Sequence, residues 1–271
     1  MLSQEIIKNK KQIKRIKTYI EGFDEHLQGG IPEGHVVLVT GVAGTMKSSV
    51  VFNILYNEAL NGKVGLYISL EQAYSSLLNH MVNMEFDLDK INLIILSDIS
   101  KLNETISKIV PGKGALVITD LGSIRKQVSS MQIDSSKDWL NMIKNIIKKV
   151  KAKGQCDLFC LDSLSALYEL SDFDQARTKL FQIFEFLRDQ DITSFLISEM
   201  PLSKIKYSAF EVEDYLADGI IMLDLARHQR KVTREIAVIK MRATDCNNDV
   251  FSLEFSDGRF QALYGGKIPL I

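Results

Sequence analysis

The sequence predicts an α/β fold, in which one mostly parallel sheet is flanked by helices and extended by C-terminal antiparallel hairpins. Short apolar, β-branched runs alternate with segments of helical spacing between residues 35 and 199, as in successive βαβ units. A glycine-rich turn joins the strand and the helix of the first unit. Beyond residue 218 the helices end, and β-rich runs separated by charged or Asp-Gly turns indicate hairpins.

The elements follow one another without a repeat or a low-complexity linker. We interpret residues 1–17 as a basic N-terminal arm or helix, with helical spacing over the first twenty residues, and residues 18–271 as one domain. The predicted strands are 35–41, 63–71, 92–98, 115–121, 156–162 and 193–199, and the predicted hairpins are 219–243 and 250–263. The predicted helices are 48–60, 73–86, 138–153 and 173–189.

Composition and charge exclude several classes of protein. The chain is 46% hydrophobic and 25% charged, which is ordinary globular usage, and its net charge of −1 gives no general attraction for nucleic acid. Its three cysteines make no disulfide framework, which favours a reducing environment. The N-terminus lacks a signal-peptide pattern, and no window reaches the roughly 20 apolar residues of a membrane span. We therefore expect a cytoplasmic protein without a membrane span.

The turn "GVAGTMKSS" predicts a phosphate-binding loop that would hold ATP and Mg²⁺. It follows the pattern G-x-x-x-x-G-K-[ST], with Gly41, Lys47 and Ser48 in place and Met46 where the second glycine belongs. In such loops backbone N–H groups surround the phosphates, the lysine reaches the β- and γ-phosphates, and the hydroxyl binds the metal ion. The predicted nucleotide-binding residues of the loop are Gly41, Val42, Ala43, Gly44, Thr45, Met46, Lys47, Ser48 and Ser49.

Polar residues at other strand ends would complete this site. Asp162 ends the apolar run "CDLFCLD" and would hold the metal ion with Ser48, and Glu71 follows "LYISL" and would polarise the attacking water. Ser198 and Glu199 end a further strand. Because the carboxyl ends of parallel strands face one crevice, we expect these residues to converge. An exposed glutamate beginning the next helix is the alternative interpretation of Glu71.

Several stretches resemble the KaiC/RadA branch of the RecA-fold ATPases, in particular the single-domain archaeal KaiC-like proteins. The resemblance extends from about Thr18 to Leu263. Motifs of that family are similar to the stretches "YISLEQ", "FCLDSLSAL", "VEDYLADGIIML" and "IAVIKMRATD". The family's opening signature is matched at Gly22, Asp24, Leu27, Gly29, Gly30, Ile31, Pro32, Gly34, Gly41, Gly44, Thr45, Lys47 and Ser48.

This resemblance implies a RecA-like P-loop fold and assembly into rings, often hexamers, with ATP between subunits. It also implies that Lys240 and Arg242 reach the γ-phosphate of the neighbouring subunit. Two departures from the family pattern accompany Met46. Gln72 follows Glu71, where paired glutamates are common, and Ala243 stands where glycine is expected. Met46 and the single glutamate favour slow hydrolysis.

The sequence thus predicts an ATP-binding, slowly hydrolysing protein that acts as an oligomeric regulatory switch with an unidentified protein partner. One alternative is a DNA-binding, recombinase-like accessory ATPase, against which the near-neutral charge argues. Another is a non-hydrolysing protein that senses nucleotide. The basic runs "KNIIKKVKAK" and "RHQRK" are interpreted as solvated surface, and Cys156 and Cys160 as core thiols.

Overall fold

The computed structural model describes residues 13–110, 112–120, 122–123, 139–154, 156–170, 176–200, 213–228 and 231–264. Several predicted features lie partly outside the described residues, among them the last residue of the strand expected at 115–121 and the first residue of the helix expected at 138–153. Three others are affected more. They are the basic arm up to residue 12, the start of the helix expected from residue 173, and the centre of the run "RHQRK" at 229–230.

The strands are β1 (Arg15–Ile16), β2 (Ile20–Glu21), β3 (Ile31–Pro32), β4 (Val36–Gly41), β5 (Val64–Ser69), β6 (Asn92–Ile95), β7 (Ala115–Asp120), β8 (Leu158–Asp162), β9 (Thr193–Glu199), β10 (Gly219–His228), β11 (Lys231–Met241), β12 (Val250–Ser256) and β13 (Arg259–Tyr264). The helices are α1 (Lys47–Leu60), α2 (Tyr74–Asn83), α3 (Leu102–Ile106), α4 (Trp139–Gly154), α5 (Leu164–Leu170), α6 (Ala176–Asp189) and α7 (Glu213–Leu216). Short 3-10 turns lie at Asp24–Leu27, Leu88–Lys90 and Ile99–Lys101.

One sheet of eleven strands organises the fold, in the order β2-β13-β12-β11-β10-β4-β9-β8-β5-β7-β6. From β10 to β6 all neighbours are parallel. The pairs β10–β11, β11–β12 and β12–β13 are antiparallel. This confirms the predicted architecture, a mostly parallel sheet that ends in antiparallel hairpins.

The sheet buries both of its faces, so its central strands are apolar throughout rather than alternating with polar residues. Val37 and Val39 of β4 join the core beneath α1 and α2. Val36 and Leu38, which point the other way, join the core beneath α3, α4, α5 and α6. The period of two along β4 therefore divides one apolar run between two cores.

The helix expected over the first twenty residues is wrong where the structure describes it. Strand β1 pairs with β3, and β2 pairs with β13. Ile16 and Ile20 are buried in the core by these pairings. Strands β1 and β2 have only two residues each, too few to show a strand pattern, and the partner of β2 lies near the other end of the described chain, which is why isoleucines with near-helical spacing were misleading. The boundary between arm and domain at residue 17 stays a prediction.

Among the helices that the structure describes, none combines the length and the apolar character needed to cross a bilayer.

Candidate functional site

The glycine-rich loop opens into a cleft of about 420 Å³ at the carboxyl ends of the parallel strands. Strands β4, β9, β8 and β5 are consecutive neighbours in the sheet. Their ends bring the loop together with Glu199, Asp162 and Glu71, and all three carboxylates line the cleft. The predicted convergence of strand ends is therefore present in the structure.

The loop itself depends on residues that tolerate unusual backbone geometry. Gly44 has a φ of 84° and Met46 a φ of 72°, both in the left-handed region. Gly41 is needed for another reason, since a Cβ there would lie 2.2 Å from the carbonyl oxygen of Leu223 on β10. The hydroxyl of Thr45 donates to the carbonyl of Val42 at 2.8 Å and closes the turn.

Lys47 is folded back onto the loop. Its Nζ donates to the carbonyl oxygens of Gly41 at 2.9 Å and Val42 at 3.1 Å. It lies 3.9 Å from a carboxylate oxygen of Glu199. Burial lowers the pKa of this ammonium, and the charges of Glu199, Glu71 and Asp162 act in the opposite direction. The buried cation is thus held ready beside the space where phosphates would bind.

Asp162 is the buried carboxylate of the site, with 1% of its surface exposed. It accepts a 2.5 Å hydrogen bond from the hydroxyl of Tyr67. Burial raises its pKa, and hydrogen bonds from Tyr67 and Ser48 oppose that shift. A buried carboxylate next to a serine hydroxyl offers two oxygen ligands to a hard cation.

These oxygens fit magnesium rather than an all-protein metal site. Among the described residues, no group of three His, Cys, Asp or Glu side chains could hold a metal ion. Mg²⁺ is commonly bound by one or two protein oxygens together with substrate phosphates and water. Ser48 and Asp162 match that requirement, provided that the phosphates occupy the loop.

Glu71 lies just beyond the end of β5, exposed at the rim of the cleft. Its carboxylate accepts a hydrogen bond from the hydroxyl of Ser163. The same hydroxyl accepts from the backbone N–H of Ala166 at 3.1 Å, in the first turn of α5. Glu71 is thereby anchored to the residue that follows Asp162. The helix α2 begins only at Tyr74, so Glu71 does not belong to it.

Ser198 and Ser49 occupy different positions relative to the cleft. Ser198 is buried within β9, and its neighbours Ile197 and Glu199 line the cleft instead. Among the described residues, its hydroxyl has no hydrogen-bond partner. Ser49 lines the cleft, and its hydroxyl lies 3.2 Å from Nε2 of His80 on α2.

Lys240 and Arg242 lie far from this cleft in the same chain. Strand register places Met241 opposite Gly219, and Gly219 beside Val37 near the start of β4. The Nζ of Lys240 donates to the backbone carbonyls of Asp214 within α7 and Ala217 just after it, and Arg242 pairs with Asp218 at 2.7 Å. The two side chains therefore lie at the opposite end of β4 from its phosphate loop.

Arg234 is a site residue that the sequence did not identify. Its Nε donates to the carbonyl oxygen of Gly44 at 3.2 Å, and it lines the cleft. Arg234 reaches the loop because β11 pairs with β10, and β10 pairs with β4, in the register that brings Ile236 and Leu223 level with Gly41. The local sequence around Arg234 gives no sign of this strand register, so the sequence alone did not indicate its place at the loop.

Comparisons with known proteins show which family the chain resembles. A family model described as "ATPase: KaiC" matches residues 16–261. A UPF0273 protein of Saccharolobus solfataricus is 32% identical over 86% of this chain and 76% of its own length. The circadian clock oscillator protein KaiC 1 of Synechocystis is 26% identical over 86% of this chain, but over only 41% of its own length.

A solved structure supports the same assignment of fold. The KaiC-like protein PH0186 of Pyrococcus horikoshii superposes with a TM-score of 0.70 at 24% identity, covering 93% of this chain and all of that one. At that identity the likeness concerns the fold. Since the family model spans most of the chain, the chain belongs to the KaiC-like branch of the RecA superfamily of ATPases.

Proposed function

We propose that the protein binds ATP with Mg²⁺ on residues 41–49 and hydrolyses it slowly, as an oligomer that serves as a regulatory switch. One observation carries this proposal. A lysine on a phosphate-binding loop, a buried carboxylate beside a serine hydroxyl, and an anchored glutamate all meet in one cleft. An ion-pair network that served only to stabilise the fold would not require a phosphate-binding loop beside it.

The reaction would use these groups as follows. Lys47 would leave the carbonyls of Gly41 and Val42 and bind the β- and γ-phosphates, with the loop N–H groups around them. Mg²⁺ held by Ser48 and Asp162 would neutralise phosphate charge. Glu71 would orient a water molecule and accept its proton while the water oxygen bonds to the γ-phosphorus and the bond to ADP breaks.

Arg234 lines the cleft, but its Nε donates to the carbonyl oxygen of Gly44, and a further cation facing the γ-phosphate from the open side would complete the site. Lys240 and Arg242 would supply it to a neighbouring subunit, as the family resemblance implies. Their distance from the chain's own loop agrees with this role, since they could act only across an interface. The basic pair is thus the reason to propose a ring, with a hexamer as the expected size.

Three features would make turnover slow. Lys47 must exchange loop carbonyls and Glu199 for phosphates. Glu71 acts without a second adjacent glutamate. Hydrolysis also waits for the neighbour's basic pair. A slow ATPase of this kind would signal its nucleotide state to a protein partner, and we propose a cytoplasmic location for it.

Calorimetric titration with ATP–Mg²⁺ tests the site. Lys47→Ala should abolish detectable binding, because it removes the buried cation that would contact the phosphates. Lys101→Ala, which removes an exposed lysine elsewhere, should bind like the unaltered protein. Unchanged affinity in Lys47→Ala would overturn the site assignment. Tight binding without phosphate release over hours would instead support the non-hydrolysing alternative.

A further inference from the structure

Tyr67 on β5 places one hydroxyl group at the bottom of the cleft. The residue is buried completely in the core beneath α1 and α2. Its ring packs edge-on against Phe52 of α1, with the ring centroids 6.2 Å apart. A phenylalanine would fill these apolar surroundings without a polar atom. The hydroxyl instead donates to Oδ2 of Asp162 at 2.5 Å, so the polar end of the side chain faces the buried carboxylate of the cleft.

Strand register brings these two residues together. Strands β5 and β8 are parallel, with Tyr67 beside Cys160 and Ser69 beside Asp162. Because residues two apart on a strand share a face of the sheet, Cys160 and Asp162 lie on the same face, and Asp162 is nearer the strand ends. The Tyr67 side chain therefore reaches from the core toward the cleft.

The tyrosine is linked to both proposed magnesium ligands. Burial, and then the charge of Asp162, raise the pKa of Tyr67 well above its ordinary value, while a hydrogen bond from Ser48 acts in the opposite direction. The hydroxyl therefore keeps its proton at neutral pH and remains a donor. Ser48 also forms a hydrogen bond with Asp162. Tyr67, Ser48 and Asp162 thus form one hydrogen-bonded cluster.

A buried hydroxyl needs a partner wherever it lies, so the identity of the partner decides what the bond does. Away from the residues that line the cleft, Tyr168 donates in the same way to the carboxylate of Glu213. Asp162 differs from Glu213 because it lines the cleft together with Ser48. Partners that hold a metal-ligating carboxylate orient it and thereby govern the metal affinity of the site.

We propose that Tyr67 is a positioning residue for Mg²⁺. By holding Oδ2 of Asp162, its hydroxyl fixes the carboxylate in the orientation in which it binds the metal ion together with Ser48. Tyr67 acts through Asp162 and contacts neither the metal ion nor the nucleotide. The inference rests on the proposed nucleotide site, because Mg²⁺ would be bound there together with the phosphates.

The test is the Mg²⁺ dependence of binding of a non-hydrolysable ATP analogue, measured by calorimetry with the full chain. Tyr67→Phe should raise the Mg²⁺ concentration that half-maximally tightens analogue binding by about tenfold, as is typical when a partner behind a metal ligand is lost. Affinity for the analogue in EDTA should be unchanged, because the loop and Lys47 are intact. A general loss of packing would not be confined to the metal-dependent part of binding.

A double variant shows whether Tyr67 acts through Asp162. Asp162→Asn and Tyr67→Phe/Asp162→Asn should have the same Mg²⁺ dependence, since the hydroxyl then has no ligating carboxylate to orient. This comparison remains decisive if Tyr67→Phe alone is unstable, because the double variant also removes the buried charge that would lose its partner. Tyr168→Phe is the matched control. It removes the same type of bond at Glu213 and should leave the Mg²⁺ dependence unchanged.

Thermal unfolding confirms that each variant is folded. The role of Tyr67 would be overturned by an unchanged Mg²⁺ dependence in Tyr67→Phe, by an equal change in Tyr168→Phe, or by a loss in the double variant beyond that of Asp162→Asn. A folded Tyr67→Phe variant that loses affinity in EDTA would also contradict it. If the unaltered protein does not bind the analogue, the proposed nucleotide site itself is wrong.

Discussion

Within the phosphate loop, Met46 has a left-handed backbone conformation, with φ 72° and ψ 27°. For a residue with a Cβ this conformation costs about 1 kcal/mol relative to glycine. The side chain offsets part of that cost, because it is partly buried and packs against the core in a groove lined by Leu253 and Phe255. The loop therefore has the backbone that glycine would give it, obtained with a different residue.

We accordingly expect Met46→Gly to change the affinity for ATP–Mg²⁺ by less than about threefold, which is under 1 kcal/mol. The directions of the loop N–H groups depend on the backbone, and the backbone already has the conformation that glycine adopts freely. Calorimetric titration of both proteins measures this. Met46→Ala is the control, since it keeps the Cβ and removes the rest of the side chain. A tenfold gain with glycine would show that the methionine obstructs the phosphates.

At the residue scale, the sequence predicted the residues that follow a pattern and missed those placed by pairing. The sequence pattern identified the residues that end or follow a recognisable strand, namely residues 41–48, Asp162 and Glu71. Arg234 and His80 could not be found, because their positions depend on the register of β11 and on the packing of α2. A charged residue in a hairpin gives no local sign that its side chain will contact a loop 190 residues away.

Strand β4 and strand β10 approach each other closely at the start of the loop, and this contact sets the position of the whole element. Gly41 lies beside Leu223, where an added Cβ would collide with a backbone carbonyl at 2.2 Å. Gly62, just after α1, has a positive φ of 91°, which Gly41 lacks, and a Cβ at Gly62 would meet nothing within 4 Å. Glycine is therefore needed at position 41 by the close approach of β10, and at position 62 only by the backbone conformation.

We expect Gly41→Ala to lower the free energy of unfolding by about 3 kcal/mol, since the backbone of β10 must move. Gly62→Ala should cost only about 1 kcal/mol, from its left-handed backbone alone. Urea unfolding without nucleotide compares the two variants directly. Equal losses would mean that β4 and β10 can separate at no cost, and that Gly41 serves the nucleotide alone.

At the scale of elements, alternation of apolar runs and helical segments was sufficient to predict the central sheet. The helix over residues 13–20 was wrong because β1 and β2 are two-residue strands, too short to show a strand pattern, and the partner of β2 lies far along the chain. Helix ends also moved, and α2 ends at Asn83 rather than Phe86. The residues after Asn83 turn away so that Met84 and Phe86 can enter the core. The burial of these side chains in the folded protein sets where the helix ends. A local sequence pattern does not reveal that burial.

Asp218 joins distant parts of the molecule. Its carboxylate accepts from the backbone N–H of Val36, from the Arg188 guanidinium and from that of Arg242. Burial raises its pKa, but these partners outweigh burial and hold the pKa below its ordinary value of 3.8. A carboxylate with a depressed pKa contributes stability above that value and loses it as the pH falls through the folded-state pKa.

Asp218→Asn should therefore lower the free energy of unfolding near neutral pH by about 2 kcal/mol, because charge-assisted hydrogen bonds are lost. The difference from the unaltered protein should shrink as the pH falls below 3.8. Urea unfolding over a range of pH measures both quantities. Asp189→Asn, at an exposed carboxylate, should stay within about 0.5 kcal/mol at every pH. A constant difference down to low pH would contradict this account of Asp218.

The positions of Lys240 and Arg242 also bear on how copies of the whole molecule would assemble. If they serve a neighbour, each active site takes its loop and Glu71 from one subunit and its basic pair from the next. Such head-to-tail interfaces close into rings when the rotation from one subunit to the next closes. Lys240→Ala/Arg242→Ala and Glu71→Gln should each lack ATPase activity alone, while each should still bind ATP–Mg²⁺.

Mixing the two variants should restore activity, because some interfaces then combine an intact loop and Glu71 with an intact basic pair. With equal amounts and random assembly, about a quarter of the interfaces are complete, so phosphate release should reach about a quarter of the unaltered rate. A mixture of Lys47→Ala with Glu71→Gln is the control and should stay inactive, since both changes fall on the same side of the interface. If the first mixture is as inactive as the control, Lys240 and Arg242 do not act across subunits, and the argument for a ring loses its basis.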